Sequence, residues 1–432
     1  SIYTKVNQEY ERDPSLKEKQ RLVLLEIEKG EGKVSERARR IVDRILADQL
    51  KTCWRLGARY DLLNWESHIL KAGMWEGVFE ELKRRGIAKF ETEGENAGCW
   101  VISDQGVGEE IGLVRSDGTI VYVAKDIPYA AWKIGVVNDP FRYEVYTGQP
   151  DRTLWTTTTG WGRPDHPRFG SAELAISVID ARQSNLQEIV AWVLGKLANV
   201  TESKRYRHRA YEVVALSRSS AESIGIKTEK EFVHMSGRKG VFINTDTVLD
   251  LLKKNAANET RKRNEGAADD WVEQVAEGIA VSALRYELVK QDPDKMIVFD
   301  VQESLRLDGD TGPYLMYSYA RARRILEKSE DKPLLTRRGA EGLVHPKERE
   351  LIRHLSMFDK TLIEAAEFLS PKEVAHYSHR ICLLFNEFYE VVNVNRESDR
   401  ELRRARLALV DAFGRVLNEG MRLIGLVALD KI

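Results

Sequence analysis

One run constrains the fold more than any other: Leu174-Ala175-Ile176-Ser177-Val178-Ile179, followed by a polar loop and then a helical pattern. A strand this continuously apolar needs cover on both faces, which helices packed on a mostly parallel sheet supply. A second strand is predicted at Tyr211-Glu212-Val213-Val214-Ala215-Leu216. Strand, loop, helix and strand in that order make part of a doubly wound, α/β Rossmann-type sheet. After Thr247 the apolar spacing turns helical, and no further strand is expected before the C-terminus. The fold class expected is therefore a partial α/β Rossmann-type unit followed by an all-α domain.

Upstream, Leu22, Val23, Leu25 and Ile27, then Ile41, Val42, Ile45, Leu46 and Leu50, recur at helical spacings. Between Phe90 and Val123 the texture changes to short β-rich pieces, Gly98–Ile102 and Thr119–Val123. The turn before the second is marked by Ser116-Asp117-Gly118. A chain of 432 residues has room for two or three domains, and 42% hydrophobic with 31% charged residues is the texture of a soluble globular protein. No apolar run reaches a membrane-spanning length, and Ser1–Lys5 has no signal-peptide pattern, so no membrane association and a cytoplasmic location are expected. Cys53, Cys99 and Cys382 are widely spaced and form no CxxC pair; reduced, buried thiols and no protein-bound metal are expected. A net charge of −1 excludes a chain that coats nucleic acid by bulk charge, but not one with local basic faces. Such runs occur at Lys204–Arg209, Arg321–Arg324 and Arg396–Arg406, where a solvated helix face is the simplest reading of each.

Four stretches carry chemistry. His234-Met235-Ser236-Gly237-Arg238-Lys239-Gly240 is small, flexible and cationic; such a loop can bring two positive side chains onto a polyphosphate, or be an exposed turn. Arg115–Tyr129 includes Tyr122, Ala124 and Asp126, which share one face if the segment is a strand. An aromatic wall beside a carboxylate suits a guanidinium, although a strand edge with a core tyrosine has the same look. Val178–Gln187 is a polar loop at the C-terminal end of a buried strand, where open α/β sheets bind ligands, and it holds Gln183 and Gln187. In Leu307–Leu326, Thr311 is a predicted N-cap and Pro313 sits early in the helix. Leu315, Ala322 and Leu326 make one face, while Tyr314, Tyr317, Arg321 and Arg324 make another. Aromatics interleaved with arginines suit unstacked bases, and an aromatic stripe at this spacing equally suits a core.

Together these stretches resemble the arginyl-tRNA synthetases, a class I family. Met235–Gly240 resembles the family's KMSKS loop, except that His234 and Gly237 stand where the pattern has lysines, leaving Arg238 and Lys239 to supply the charge. Ser116–Tyr129 resembles the SDGTxxYxxxDIxY pattern, so Tyr122 and Asp126 map onto the family's arginine-binding pair, and Gln183 onto the glutamine contacting the amino acid. Gly309–Arg321 resembles the element that opens the anticodon-binding domain, Leu384–Tyr389 its FNxFY helix and Val416–Leu426 its closing helix. The resemblance thus implies an anticodon site of Tyr314, Tyr317, Arg321 and Tyr389, with Asn393 where some relatives have another aromatic. ATP would meet His234, Met235, Arg238 and Lys239, with His234, Ser236, Arg238 and Lys239 acting in the chemistry.

The implied layout is a helical insertion over 1–85 and an α+β insertion with the arginine-binding segment over 86–170. The second Rossmann half with the KMSKS-like loop follows over 171–250, then a helical connector over 251–305 and the anticodon-binding bundle over 306–432. The implied activity is arginine–tRNA ligation, with ATP and its Mg²⁺, arginine and tRNA-Arg as substrates. No HIGH-like run occurs; in His166-Pro167-Arg168-Phe169-Gly170 the proline follows the histidine directly. That leaves open a partial enzyme, a split enzyme completed by an N-terminal polypeptide carrying that motif, and a non-catalytic tRNA-binding paralogue.

Overall fold

Three helices open the chain: α1 (Ile2–Arg12), α2 (Leu16–Lys29) and α3 (Gly32–Arg55). The computed structural model describes residues 2–102, 110–198, 205–223, 225–234 and 243–432, and the backbone alone at Tyr3, Glu28, Lys29, Leu70, Tyr122 and His234. Gly30, at φ +72°, closes α2 with its N–H on the Ile27 carbonyl, a left-handed cap that costs glycine little. The apolar spacing in this region does mark helices, but not a core. Leu22, Val23, Leu24 and Leu25 are 42–53% exposed, and Ile41, Val42 and Ile45 lie open as well.

Residues 10–54 and 58–211 form one unit. After β1 (Leu62–Leu63), α4 (Glu66–Lys71) and α5 (Met74–Arg84), an antiparallel sheet joins β2 (Ala88–Phe90), β3 (Trp100–Ile102) and β4 (Ile111–Val114) in that order. Next comes α6 (Tyr122–Lys133), then the hairpin β5 (Arg142–Gly148) and β6 (Thr153–Thr158), whose second strand pairs parallel with β1. The unit closes on β7 (Ala175–Asp180), α7 (Ser184–Leu197) and β8 (Tyr206–Tyr211). β7 and β8 pair in parallel, Ala175 opposite Tyr206 through Asp180 opposite Tyr211, so the strand–helix–strand order holds, but β7 is not buried on both faces: Ile176 and Val178 are 45% and 65% exposed. Leu82, Leu113, Ile127, Val190, Val193 and Leu194 form its main core.

Residues 1–9, 55–57 and 212–432 form the other unit. Its sheet has β9 (Val214–Ser217) at the centre, antiparallel to β10 (Phe232–His234), which follows α8 (Arg218–Ser223), and parallel to β11 (Ile297–Phe299). Between β10 and β11 run α9 (Thr245–Arg263) and α10 (Asp269–Val289); α11 (Val301–Ser304) and α12 (Gly312–Glu327) follow. Five more helices complete the chain: α13 (Arg337–Glu341), α14 (Pro346–Leu355), α15 (Phe358–Glu367), α16 (Pro371–Val391) and α17 (Arg400–Leu423). Tyr286, Leu315, Phe385, Phe388 and Phe413 belong to one core shared by α10, α12, α16 and α17. The Phe385 and Phe413 rings stack 3.9 Å apart, and Phe413→Ala at this fully buried position costs about 3–5 kcal/mol. α12 starts hard against α10: a Cβ at Gly312 would lie 2.6 Å from the Ser282 carbonyl oxygen.

Four expectations need correction. Thr119–Val123 is not a strand: Ile120 makes one bridge to Val114, and the chain enters α6 at Tyr122. The β-branched run reads as strand locally, but Val123, Ile127, Ala130, Ala131 and Ile134 are all buried at helical spacing, and tertiary burial outweighs propensity. The segment 211–216 is not one strand either: β8 ends at Tyr211 and β9 begins at Val214. The basic run ahead of it supplies β8 rather than a helix face. Finally, Ile297-Val298-Phe299 forms a strand after Thr247; three residues are too few to show a period, and pairing with β9 decides the matter.

Candidate functional site

Helix α6 re-sorts the predicted guanidinium site. On a helix, Tyr122, Asp126, Tyr129 and Lys133 recur at intervals of four, three and four and share a face, whereas Ala124 turns into the core and is 0% exposed. Gln187 of α7 is 1% exposed, and its side-chain oxygen accepts a 2.6 Å hydrogen bond from the Tyr206 hydroxyl of β8. Its buried amide nitrogen has no partner of good geometry, yet it is near enough to act on Asp126. Burial pushes the Asp126 carboxyl above its ordinary range; the Gln187 amide and the Lys133 ammonium pull it back, and Glu66 adds to the rise. Burial pulls Lys133 down, and Asp126 opposes that; burial also pushes the Tyr129 hydroxyl up to about 12. The Lys133 ammonium stands 4.4 Å from the centre of the Tyr129 ring. Among the described residues no cation pairs directly with Asp126: Glu66, the other acid, is held by Lys125 at 3.1 Å.

Gln183 ends a short 3₁₀ turn, Ala181–Gln183, and is exposed. Asp180 caps that turn, accepting from the Arg182 backbone at 2.9 Å and from its guanidinium at 2.7 Å. The amide against Asp126 is therefore Gln187, one turn later. A helical stripe on α6 is the signal that points to Tyr129 and Lys133, and a strand reading from Tyr122 hides it; Gln187, on α7, has no such signal. His166 lies among aromatic rings, 4.5 Å from Tyr143.

Of the phosphate-loop candidates, the backbone of His234 ends β10. Met235, Ser236, Gly237, Arg238 and Lys239 lie outside the described residues.

The second predicted site is assembled on α12 and α16. Thr311 caps α12 as expected, accepting from the Tyr314 N–H at 3.2 Å, and Pro313 sits in the first turn. Leu315 and Ala322 are buried and Leu326 half-buried. Arg321 donates to the Asn386 side-chain oxygen at 2.5 Å and to the Tyr317 hydroxyl at 3.0 Å. Its guanidinium lies 4.7 Å from the Tyr317 ring centre and 5.3 Å from that of Tyr389, which is 42% exposed. Tyr314 departs from the expected open face: it is 9% exposed, its ring meets His379, and its hydroxyl accepts from Asn386 at 2.8 Å. The α12 register turns it inward, which removes it as a stacking surface and makes it a support. Asn393 lies past the end of α16, exposed, its side-chain oxygen accepting from the Arg396 N–H at 3.3 Å. Tyr317 also borders a cleft of about 620 Å³, with Lys262, Arg263 and Gln302 on its walls.

The run Arg396–Arg406 is not an open basic face. Arg400 and Arg403 hold Asp331, and Arg406 joins the fully buried Glu348 at 2.7 Å to Glu397 at 2.5 Å. Cys382 is buried as expected, whereas Cys53 and Cys99 are half-buried; all three are free thiols. No helix among the described residues is long and apolar enough to cross a membrane.

Residues 1–147 match the model of the class I tRNA synthetase (R) catalytic domain, and residues 315–432 that of the DALR anticodon-binding domain. A class I catalytic segment joined to a helical anticodon-binding domain defines a class I aminoacyl-tRNA synthetase. Among curated proteins, the arginine–tRNA ligase of Thermococcus kodakarensis is 31% identical, over 100% of this chain and 67% of the relative. That of Thermus thermophilus is 34% identical, over 99% of this chain and 68% of the relative. The solved arginyl-tRNA synthetase of Thermus thermophilus superposes with a TM-score of 0.81 at 31% identity, over 100% of this chain and 69% of that one. A Plasmodium falciparum structure at 16% identity shares the fold, with a TM-score of 0.70 over 95% of this chain and 61% of that one. The chain belongs to the arginyl-tRNA synthetase family, and it spans about two-thirds of the length of these curated relatives.

Proposed function

We propose that this chain binds arginine over the Asp126 face of α6 and takes part in its ATP-dependent transfer to tRNA-Arg. One observation carries the reading: a half-buried carboxylate, raised by burial and with no directly paired cation among the described residues. Burial without a partner destabilises that carboxylate, so an incoming guanidinium gains both a bidentate ion pair and relief of the strain. Tyr122, one turn before Asp126 in sequence, and Tyr129 after it are assigned as the flat surfaces, Gln187, oriented by Tyr206, turns its amide to the acid, and Gln183 at the loop is assigned the amino-acid end of the substrate.

With arginine so held, its carboxylate attacks the α-phosphorus of ATP and pyrophosphate leaves. The terminal ribose hydroxyl of tRNA then attacks the adenylate carbonyl, and AMP leaves. Mg²⁺ enters with ATP. His234, Met235, Ser236, Arg238 and Lys239 are assigned to the phosphates, where two cations offset the charge developing on pyrophosphate. Tyr317, Arg321 and Tyr389 are assigned to the anticodon loop, with Tyr314 behind them.

Equilibrium dialysis of the chain against arginine and citrulline tests the amino-acid site, because citrulline has the same shape without the charge. Arginine is expected to bind about a hundredfold tighter or better. Equal binding of the two, or unchanged arginine binding by Asp126→Ala, overturns the assignment. Arg321→Ala tests the other site: tRNA affinity falls and arginine affinity stays.

A further inference from the structure

We propose that Asn386 is the positioning residue of the anticodon platform, acting on RNA only through Arg321. The inference rests on the reading that Tyr317, Arg321 and Tyr389 meet the anticodon loop.

Asn386 of α16 joins three side chains of α12: Arg321, Tyr314 and Ser318. Its oxygen accepts from Arg321 at 2.5 Å, while its amide nitrogen donates to the Tyr314 hydroxyl at 2.8 Å and the Ser318 hydroxyl at 3.2 Å. Ser318 is 0% exposed and Tyr314 is 9% exposed, so both hydroxyls belong to largely buried residues. The chemistry fixes the orientation of the amide. A guanidinium offers only donors, so the oxygen must face Arg321; the nitrogen then faces the two hydroxyls, which rotate to accept. An asparagine has one acceptor end and one donor end, and here each end meets its complement.

The consequence lies in Arg321. A free arginine side chain loses rotamer entropy when it is fixed in a complex. Here the guanidinium is fixed beforehand by Asn386 and the Tyr317 hydroxyl, and it is held between the Tyr317 and Tyr389 rings. Two of its five N–H groups are used in this way, and the other three have no partner among the described residues. They are left for a phosphate or a base edge. Asn386 itself is half-buried behind the arginine and has no donor left over for RNA. Its effect on RNA therefore has to pass through Arg321.

The test measures binding of the chain to a short hairpin RNA carrying the anticodon arm of an arginine tRNA, for the parent, Asn386→Ala, Arg321→Ala and the double variant. Loss of the clamp is expected to weaken binding about tenfold in each single variant. The double variant is expected to match Arg321→Ala within about twofold, since Asn386 has nothing left to position. A purely structural asparagine weakens RNA binding further in the Arg321→Ala background, and that additivity overturns the proposal. So does an Asn386→Ala variant that binds like the parent while Arg321→Ala does not. If Arg321→Ala itself binds like the parent, the anticodon reading fails instead. Should Asn386→Ala not fold, Asn386→Asp replaces it: a carboxylate accepts from Arg321, and the Tyr314 and Ser318 hydroxyls turn to donate. This variant is expected to bind within about threefold of the parent, and a tenfold loss counts against the proposal.

Discussion

Replacing Asp126 by asparagine should move arginine affinity and stability in opposite directions. The substitution keeps shape and one acceptor and removes the charge. Two unit charges about 4 Å apart attract by about 4 kcal/mol at an effective dielectric constant of about 20, the value for a half-buried pair. Asparagine retains a hydrogen bond worth about 1 kcal/mol, so the net loss is about 3 kcal/mol, or roughly 150-fold in Kd. Isothermal calorimetry with arginine at neutral pH reads this directly. Stability should change the other way. Burial raises the folded carboxyl above its ordinary 3.8, so the folded chain binds that proton more tightly than the unfolded chain does. Stability then falls as pH rises between the two values, and at neutral pH the ionised acid destabilises the parent. Asp126→Asn should therefore melt higher than the parent at neutral pH, by roughly 2–4 °C per kcal/mol gained in a unit of this size. The gap should close as pH drops below the ordinary carboxyl value. Arginine binding by the parent should weaken over the same descent, starting above that value. A variant that loses less than about fivefold in affinity, or that melts lower than the parent at neutral pH, refutes the picture of an unpaired acid awaiting a guanidinium.

Three further outcomes are expected. Arg406→Met leaves the fully buried Glu348 carboxylate without its cation and should cost about 3–5 kcal/mol in urea denaturation, with much of that restored by Glu348→Leu in the same chain. Gly170→Ala should cost about 2–4 kcal/mol, because the backbone sits at φ +70° and a Cβ would lie 2.7 Å from the Trp132 ring nitrogen; thermal melting of the purified variant checks it. The Cys382 thiol is fully buried and pushed far up by that burial, so iodoacetamide should label Cys53 and Cys99 in the native chain and reach Cys382 only on unfolding, as peptide mass mapping would show.

The sequence made the two-part architecture legible because long elements repeat their signal. The Thr311 cap, the early Pro313 and the burial of Leu315 and Ala322 all follow from local rules that the tertiary structure does not override. The β7 strand and its helical crossover were equally plain. What failed was short or contested. Thr119–Val123 has strand propensity, yet its neighbours to Ile134 carry a helical burial pattern, and reading the first hid the second. Ile297–Phe299 exists as a strand only because β9 lies beside it. At the site, residue types were legible but inward and outward faces were not. Gln187 and Tyr314 are inside and Gln183 is outside. Charge runs are illegible for a similar reason: Arg400 is solvated as its run suggests, whereas Arg403 and Arg406 are drawn in by Asp331 and Glu348.

The contact at Gly312 has a mechanical meaning. Packed helices normally shear by letting side chains change rotamer and re-interlock. Between α12 and α10 the backbones meet at this point with no side chain between them. That joint has nothing to repack, so it transmits a push rather than absorbing one. The same stretch of α10 is tied to the C-terminal segment, where the Ser282 hydroxyl accepts from the Val427 N–H at 3.0 Å and Arg285 donates to the Ile424 carbonyl at 3.4 Å. If α12 carries the anticodon platform as proposed, a load on it is passed through this strut to α10 and the C-terminal segment.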